Sequence, residues 1–162
     1  MARVDANPDM APDPAPDSDA RSDRRSRVIA ASPAEVYAAL CDPVRLARWW
    51  GPDGFTSSVH VFEFCPGGSW RLTLHGPDGS DYPNEYRVLG LAPNRWVALD
   101  HPSDDHHFIL RIELEQRGRD TVVHWRQTLD CVEAYQGLAD FLTQANEQVL
   151  ARLSAEVLRP QG

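Results

Sequence analysis

The C-terminal stretch from Asp130 to Leu158 constrains this chain more than any other. Leu138, Phe141, Leu142, Ala145, Val149, Leu153 and Val157 recur at spacings of three and four. That is one continuous apolar stripe on a helix. Glu133, Gln136, Asp140, Gln144, Glu147, Gln148 and Ala151 fall on the other side. Asp130 with Glu133 three residues on has the form of an N-cap and its capping-box partner. Arg159 suits the negative helix end, and Pro160 cannot continue the helix. At 1.5 Å per residue the helix would be roughly 40 Å long. A helix of that length with one greasy face needs a broad apolar surface to lie on.

The middle of the chain supplies such a surface as strands. Phe55–Phe64 is one, with Phe62 and Phe64 in alternation, and Pro66-Gly67-Gly68 turns it. Trp70, Leu72 and Leu74 then alternate with Arg71, Thr73 and His75 up to the turn Gly76-Pro77-Asp78-Gly79. Tyr82–Leu91 and Arg95–Asp100 follow, separated by Ala92-Pro93-Asn94. Phe108, Leu110, Ile112 and Leu114 mark the next strand. Thr121–Leu129 closes the set, with Val123, Trp125, Gln127 and Leu129 on one face. Consecutive strands with short turns pair as an antiparallel meander. Ahead of them, Arg24–Ala31 reads as a first strand. Ser32-Pro33-Ala34-Glu35 opens a short helix to about Cys41, and Asp42-Pro43 starts a second that runs to Trp50. The expected class is α+β: a curved antiparallel sheet wrapped around a long C-terminal helix, with two short helices at one end.

Residues 1–23 hold six aspartates, four prolines and almost no bulky apolar side chain. They are expected to form a disordered tail that contributes nothing to stability, leaving 24–160 as the folded domain. No signal peptide or membrane span is expected. The net charge is −8 and every basic residue is arginine. An acidic chain without a basic cluster beyond Arg24, Arg25 and Arg27 argues against nucleic acid or an anionic membrane as partner. Cys41, Cys65 and Cys131 are odd in number and not closely paired. They fit a cytoplasmic protein with buried thiols better than a disulfide frame or a zinc site.

Three stretches are more specific. They are Asp42-Pro43 with Leu46-Ala47-Arg48-Trp49-Trp50-Gly51-Pro52; Phe64-Cys65-Pro66-Gly67-Gly68-Ser69-Trp70-Arg71; and Gly76-Pro77-Asp78-Gly79 with Tyr82-Pro83-Asn84 and Leu91-Ala92-Pro93-Asn94-Arg95-Trp96-Val97. In this order the chain, from Arg27 to about Leu158, resembles the family of homologues of the activator of a heat-shock chaperone ATPase. That family lies within the START-like, polyketide-cyclase and birch-pollen-allergen-like superfamily (SRPBCC). The resemblance implies the helix-grip fold, usually with an apolar cavity between sheet and long helix. It leaves the chemistry open, because one fold hosts carriers, cyclases and chaperone regulators. One departure stands out. The family's long helix typically carries Gly-Trp where this chain has Ala145-Asn146. Losing an indole there would enlarge the space, and an inward amide would need a partner. Alternatively Asn146 faces outward, with Phe141 and Leu142 filling the cavity.

Candidate chemistry is thin. His101, His106 and His107 surround Asp104 and Asp105, but adjacent histidines in a strand point to opposite faces, and the spacing does not fit a paired metal site. No metal is expected. His107 or His124 could meet Glu85 or Asp100 across the sheet as a catalytic pair, yet Phe108, Val123 and Trp125 as inward residues would turn both histidines outward. Cys131 lies near a helix N-terminus, which can lower a thiol pKa, but none of the cysteines has a recognisable catalytic partner. Gly67-Gly68 precedes a strand rather than a helix and reads as a hairpin turn, not a phosphate loop. No cofactor is expected, and no catalytic residue is assigned.

The leading expectation is non-catalytic binding of a small, largely apolar ligand. Trp70, Leu72, Leu74, Trp96, Phe108, Leu110, Val123 and Trp125 would face it from the sheet, with Trp50 beside them. Phe141, Leu142, Ala145 and Val149 would face it from the helix, with most space beside Ala145. A cyclase- or hydratase-like enzyme using a polar group in the same cavity is the first alternative. A chaperone-interacting regulator is the second. Oligomeric state is left open, a homodimer included.

Overall fold

The structure is a computed structural model and describes residues 18–160. Seven strands form one antiparallel sheet: β1 (Ser22–Ile29), β2 (Thr56–Phe62), β3 (Ser69–His75), β4 (Asp81–Ala92), β5 (Trp96–His101), β6 (Phe108–Arg117) and β7 (Asp120–Leu129). Their order is β1-β7-β6-β5-β4-β3-β2. β2 to β7 is thus an uninterrupted meander, and β1 closes it by pairing with β7. β1 and β2, neighbours in sequence, end up on opposite edges. The segment between them crosses the end of the sheet as α1 (Pro33–Cys41) and α2 (Pro43–Trp49). The long helix α3 (Val132–Leu158) lies in the concave face.

Local chemistry accounts for the helix starts. Ser32 and Glu35 form the expected capping box: Ser32 Oγ accepts from Glu35 N at 3.2 Å, and Glu35 Oε1 accepts from Ser32 N at 3.0 Å. Asp42 caps α2, its Oδ1 accepting from Val44 N at 2.9 Å. The start of α3 departs from expectation. Its N-cap is Cys131, whose Sγ accepts from Ala134 N at 3.4 Å. Asp130 is unavailable because its carboxylate meets His107 Nδ1 at 2.5 Å. All three cysteines are exposed and unpaired, not buried.

His107 also meets Asp100 through Nε2 at 2.6 Å, so one imidazole ties two strands to the entry of α3. The hydrogen bond to Asp130 is the main cause raising its pKa; the bond to Asp100 adds to it, and partial burial opposes both. A histidine pKa raised by folding contributes stability that is complete below the unfolded value of about 6.5 and is lost as pH rises through the folded value. The melting-temperature gap between the parent and His107→Gln is therefore expected to be widest in mildly acid solution. It should narrow as pH rises past the raised folded pKa. A gap that does not vary with pH would remove the protonated ring from this role.

The core lies between the concave face and the helices. Trp49, Trp70, Leu40, Leu46, Leu99, Ile112, Leu150 and Leu153 are fully buried. The α3 stripe is buried through Leu142, Ala145, Val149, Leu153 and Val157, whereas Phe141 is 62% exposed. Buried Glu156 joins α3 to α2, accepting from Arg45 Nε at 2.9 Å and from Arg48 Nη1 at 3.3 Å. Burial of that carboxylate is tolerable because guanidiniums meet it, with Arg159 Nη1 a third at 3.8 Å.

One strand assignment needs correction. Trp96 opens β5, and it is Val97 and Leu99 that enter the core, so alternation sends Trp96 to the outer face with Ala92 and Ala98. There its ring covers Gly90, where a Cβ would come within 2.9 Å of the indole. A bulge in β4 between Val88 and Gly90 accommodates this, leaving Leu89 exposed.

The tail boundary also moves. Residues 1–17 lie outside the described residues, but Ser18–Arg21 form a 3-10 turn and β1 begins at Ser22. Asp23 is 2% exposed, and Asp19 accepts from Arg126 Nη2 at 2.8 Å. A cut after Ala20 removes Asp19, an exposed partner worth at most about 1 kcal/mol. Extending the cut through Asp23 is expected to lower the melting temperature by several degrees, because Arg25 and Asn146 then lose a buried partner. Equal melting curves for the two truncations would contradict this.

Candidate functional site

Between the concave face and α3 the side chains do not meet everywhere. An inner chamber of about 180 Å³ lies beside Ala145, as expected from the small side chain there. Trp50, Leu74, Tyr86, Phe108, Leu110 and Trp125 wall it from one side; Leu142, Ala145, Asn146 and Val149 wall it from α3. It adjoins an outer groove of about 440 Å³, edged by Tyr82, His101, His106 and Leu138. The two spaces share Tyr86, Phe108, Gln127, Phe141 and Leu142.

Trp50 is the hub of the aromatic wall. Its ring centroid lies 5.3 Å from Trp49, 5.6 Å from Trp70, 5.4 Å from Tyr86 and 6.2 Å from Trp125. These tilted and edge-on contacts suit ring quadrupoles and fix the indole without a flat stack. Trp50 stands at the end of α2 because Arg152 of α3 gathers the loop that follows. Arg152 Nη1 donates to Gly51 O at 2.6 Å and Pro52 O at 2.9 Å; Nη2 donates to Arg48 O at 2.9 Å and Phe55 O at 3.0 Å. One planar cation thereby satisfies carbonyls left over at a helix C-terminus.

The chamber is electrostatically quiet. Among the described residues its one ionisable side chain is Tyr86, whose pKa burial pushes well up. Trp70 Nε1 and Trp125 Nε1 are buried without a hydrogen-bond partner among the described residues. In the outer groove His101 stacks on Phe108 at 4.5 Å, and burial is the main cause lowering its pKa. Among the described residues no group of three or more His, Cys, Asp or Glu is placed to hold a metal ion.

Of the residues expected at the site, the structure brings together Trp50, Leu74, Phe108, Leu110, Trp125, Leu142, Ala145 and Val149. Phe141 edges both spaces but is mostly exposed. Trp70 and Leu72 are core residues behind the wall, and Trp96 is on the opposite face. Sequence reasoning missed Tyr86 and passed over Gln127, although the alternation of β7 placed Gln127 with Trp125. Asn146 faces inward and is partnered: its Nδ2 donates to Asp23 Oδ2 at 2.8 Å and to Gln127 Oε1 at 2.9 Å. His107 and His124 face outward, as the alternation of β6 and β7 requires. His107 meets Asp100, while His124 Nε2 meets Glu115 at 2.8 Å instead.

The fold is shared with known proteins. Residues 30–157 match the family described as Activator of Hsp90 ATPase homolog 1-like protein. The chain belongs to that family. Among solved structures, a protein from Chromobacterium violaceum is 26% identical with a TM-score of 0.73, the match covering 87% of this chain and 99% of that one. A protein from Arthrobacter aurescens is 22% identical with a TM-score of 0.81, covering 90% of this chain and 91% of that one. The AHSA1 protein from Silicibacter pomeroyi is 21% identical with a TM-score of 0.68, covering 84% and 96%. Comparison with curated proteins gives no match. These likenesses extend over the seven-stranded sheet and α3. No described helix is long and apolar enough to cross a membrane.

Proposed function

We propose that the domain binds a small, largely apolar molecule between the sheet and α3, without performing a reaction on it. The observation that carries this is the inner chamber, where aromatic side chains from several elements converge on the smallest residue of the α3 stripe. A solid core would close that space, because unfilled volume costs stability. Burying apolar ligand surface there would gain roughly 25 cal/mol per Å². Trp50 and Trp125 in the wall report on occupancy. Titration with naphthalene is expected to change tryptophan fluorescence saturably, at one molecule per chain. A response that never saturates would point to surface partitioning and sink the proposal.

An enzymatic reading rests on His101. The lowered pKa keeps its ring largely neutral at pH 7, so it could serve as a base for a molecule lying in the outer groove. His101→Gln is expected to weaken naphthalene binding only modestly, since the ring edges the groove and stacks on Phe108, whereas turnover that used the imidazole as a base would be lost. That substitution separates the two readings, since only a reaction would depend on the imidazole.

A further inference from the structure

Two polar side chains in the cavity wall are oriented from outside it. Arg25 Nε and Nη2 donate to the two carboxylate oxygens of Asp23 at 2.8 and 2.7 Å. A carboxylate ionised in this way can only accept. Asn146 must therefore turn its Nδ2, not its Oδ1, toward Asp23. The second hydrogen of that Nδ2 goes to Gln127 Oε1 at 2.9 Å, which settles the Gln127 amide as well. The chain Arg25–Asp23–Asn146–Gln127 thus has a direction, and it ends in a donor. Gln127 Nε2 and Asn146 Oδ1 make no hydrogen bond among the described residues, and neither belongs to the atoms sealed away from all access. Both residues are more than nine-tenths buried, at 8% and 6% exposure, and both line the chamber. Gln127 also lines the outer groove, so it stands where the two spaces join.

The surroundings restrict what can meet these atoms. Among the described residues no charged side chain lines the inner chamber to balance an ionic ligand, and Asp23 is already paired with Arg25. The wall facing α3 is largely rings, those of Trp50, Tyr86, Phe108 and Trp125, and the α3 side is aliphatic apart from Asn146 and Phe141. We infer that the cavity selects a neutral, largely aromatic molecule bearing a carbonyl oxygen, which accepts a hydrogen bond from Gln127 Nε2; this rests on the cavity-binding reading above. Asn146 Oδ1 would favour an N–H or O–H beside that carbonyl. An apolar cavity of roughly 150 Å³ holds a benzene ring, so the inner chamber takes about one ring. The remainder of the molecule extends past Gln127 into the outer groove.

A matched pair of probes tests this: 2-acetylnaphthalene, with the carbonyl, and 2-ethylnaphthalene, of nearly the same shape without it. The parent protein is expected to bind the ketone roughly three- to tenfold more tightly, the range of one hydrogen bond made in place of water. Gln127→Met keeps the side-chain length and removes the donor. It should bring the two affinities together by weakening the ketone alone. In the parent, the Gln127 side-chain amide resonances should shift with the ketone and not with the hydrocarbon. That measurement decides the matter even where the variant does not fold. Equal binding of both probes by the parent, with unmoved Gln127 resonances, overturns the carbonyl anchor and leaves the cavity reading standing. Saturable binding of neither probe overturns both.

Discussion

Leu153→Asp is expected to leave the chain unfolded at room temperature. Leu153 is fully buried on the stripe of α3 and belongs to the cluster that includes Trp49, Leu99 and Ile112. Losing the leucine alone would cost about 2–5 kcal/mol. A carboxylate in its place either goes in charged without a partner or takes up a proton to become neutral, at a further cost of several kcal/mol. The total reaches the whole stability of an ordinary domain, about 5–15 kcal/mol. Leu142→Asp and Val149→Asp should also be strongly destabilising, though both sites border the cavity, where a carboxylate could keep some water. Gln144→Asp, on the exposed side of the same helix, should change the melting temperature by no more than a degree or two. Circular dichroism and size-exclusion profiles of the four variants would check the order. Similar profiles for Leu153→Asp and Gln144→Asp would mean that α3 presents a different face to the sheet.

Helix and strand order were legible in the sequence because each rests on a local period or a turn. The α3 stripe, the Ser32 cap and the alternation of β3, β6 and β7 need only nearby residues. What was not legible depends on pairing across the fold. Asp23 was assigned to a polar tail on composition, yet it is held by Asn146, 123 positions away. Asp130 had the form of a helix cap, but His107 competes for the same carboxylate, leaving Cys131 to cap. Trp96 was placed in the cavity on its size. A strand that opens with a large ring and continues Val97-Ala98-Leu99 fits either face until its neighbour is known, and the bulge at Leu89–Gly90 decides the face. The apolar half of the candidate site was therefore readable. Its polar half was not, because the direction of an amide is set by partners on β1 and β7 that no local pattern records.

Ala145→Trp is expected to abolish naphthalene binding while keeping or raising thermal stability. Ala145 is 8% exposed and borders the inner chamber opposite the ring wall. An indole built there has the space of about 180 Å³ in front of it, so it fills a void where a packed site would be overfilled. Filling an existing cavity commonly adds about 0.5–2 kcal/mol. The same ring takes the volume that one aromatic ring of a ligand would need. The two effects have a common cause and should appear together: a melting temperature at or above the parent's, and no saturable change in fluorescence on titration. A control at the edge of the groove, Phe141→Ala, alters an exposed side chain and should weaken binding only modestly. Naphthalene binding unchanged by Ala145→Trp would place the ligand elsewhere. A variant that loses both binding and stability would mean that the chamber cannot open far enough to accept an indole. The space beside Ala145 would then be a packing defect of the core, not a site.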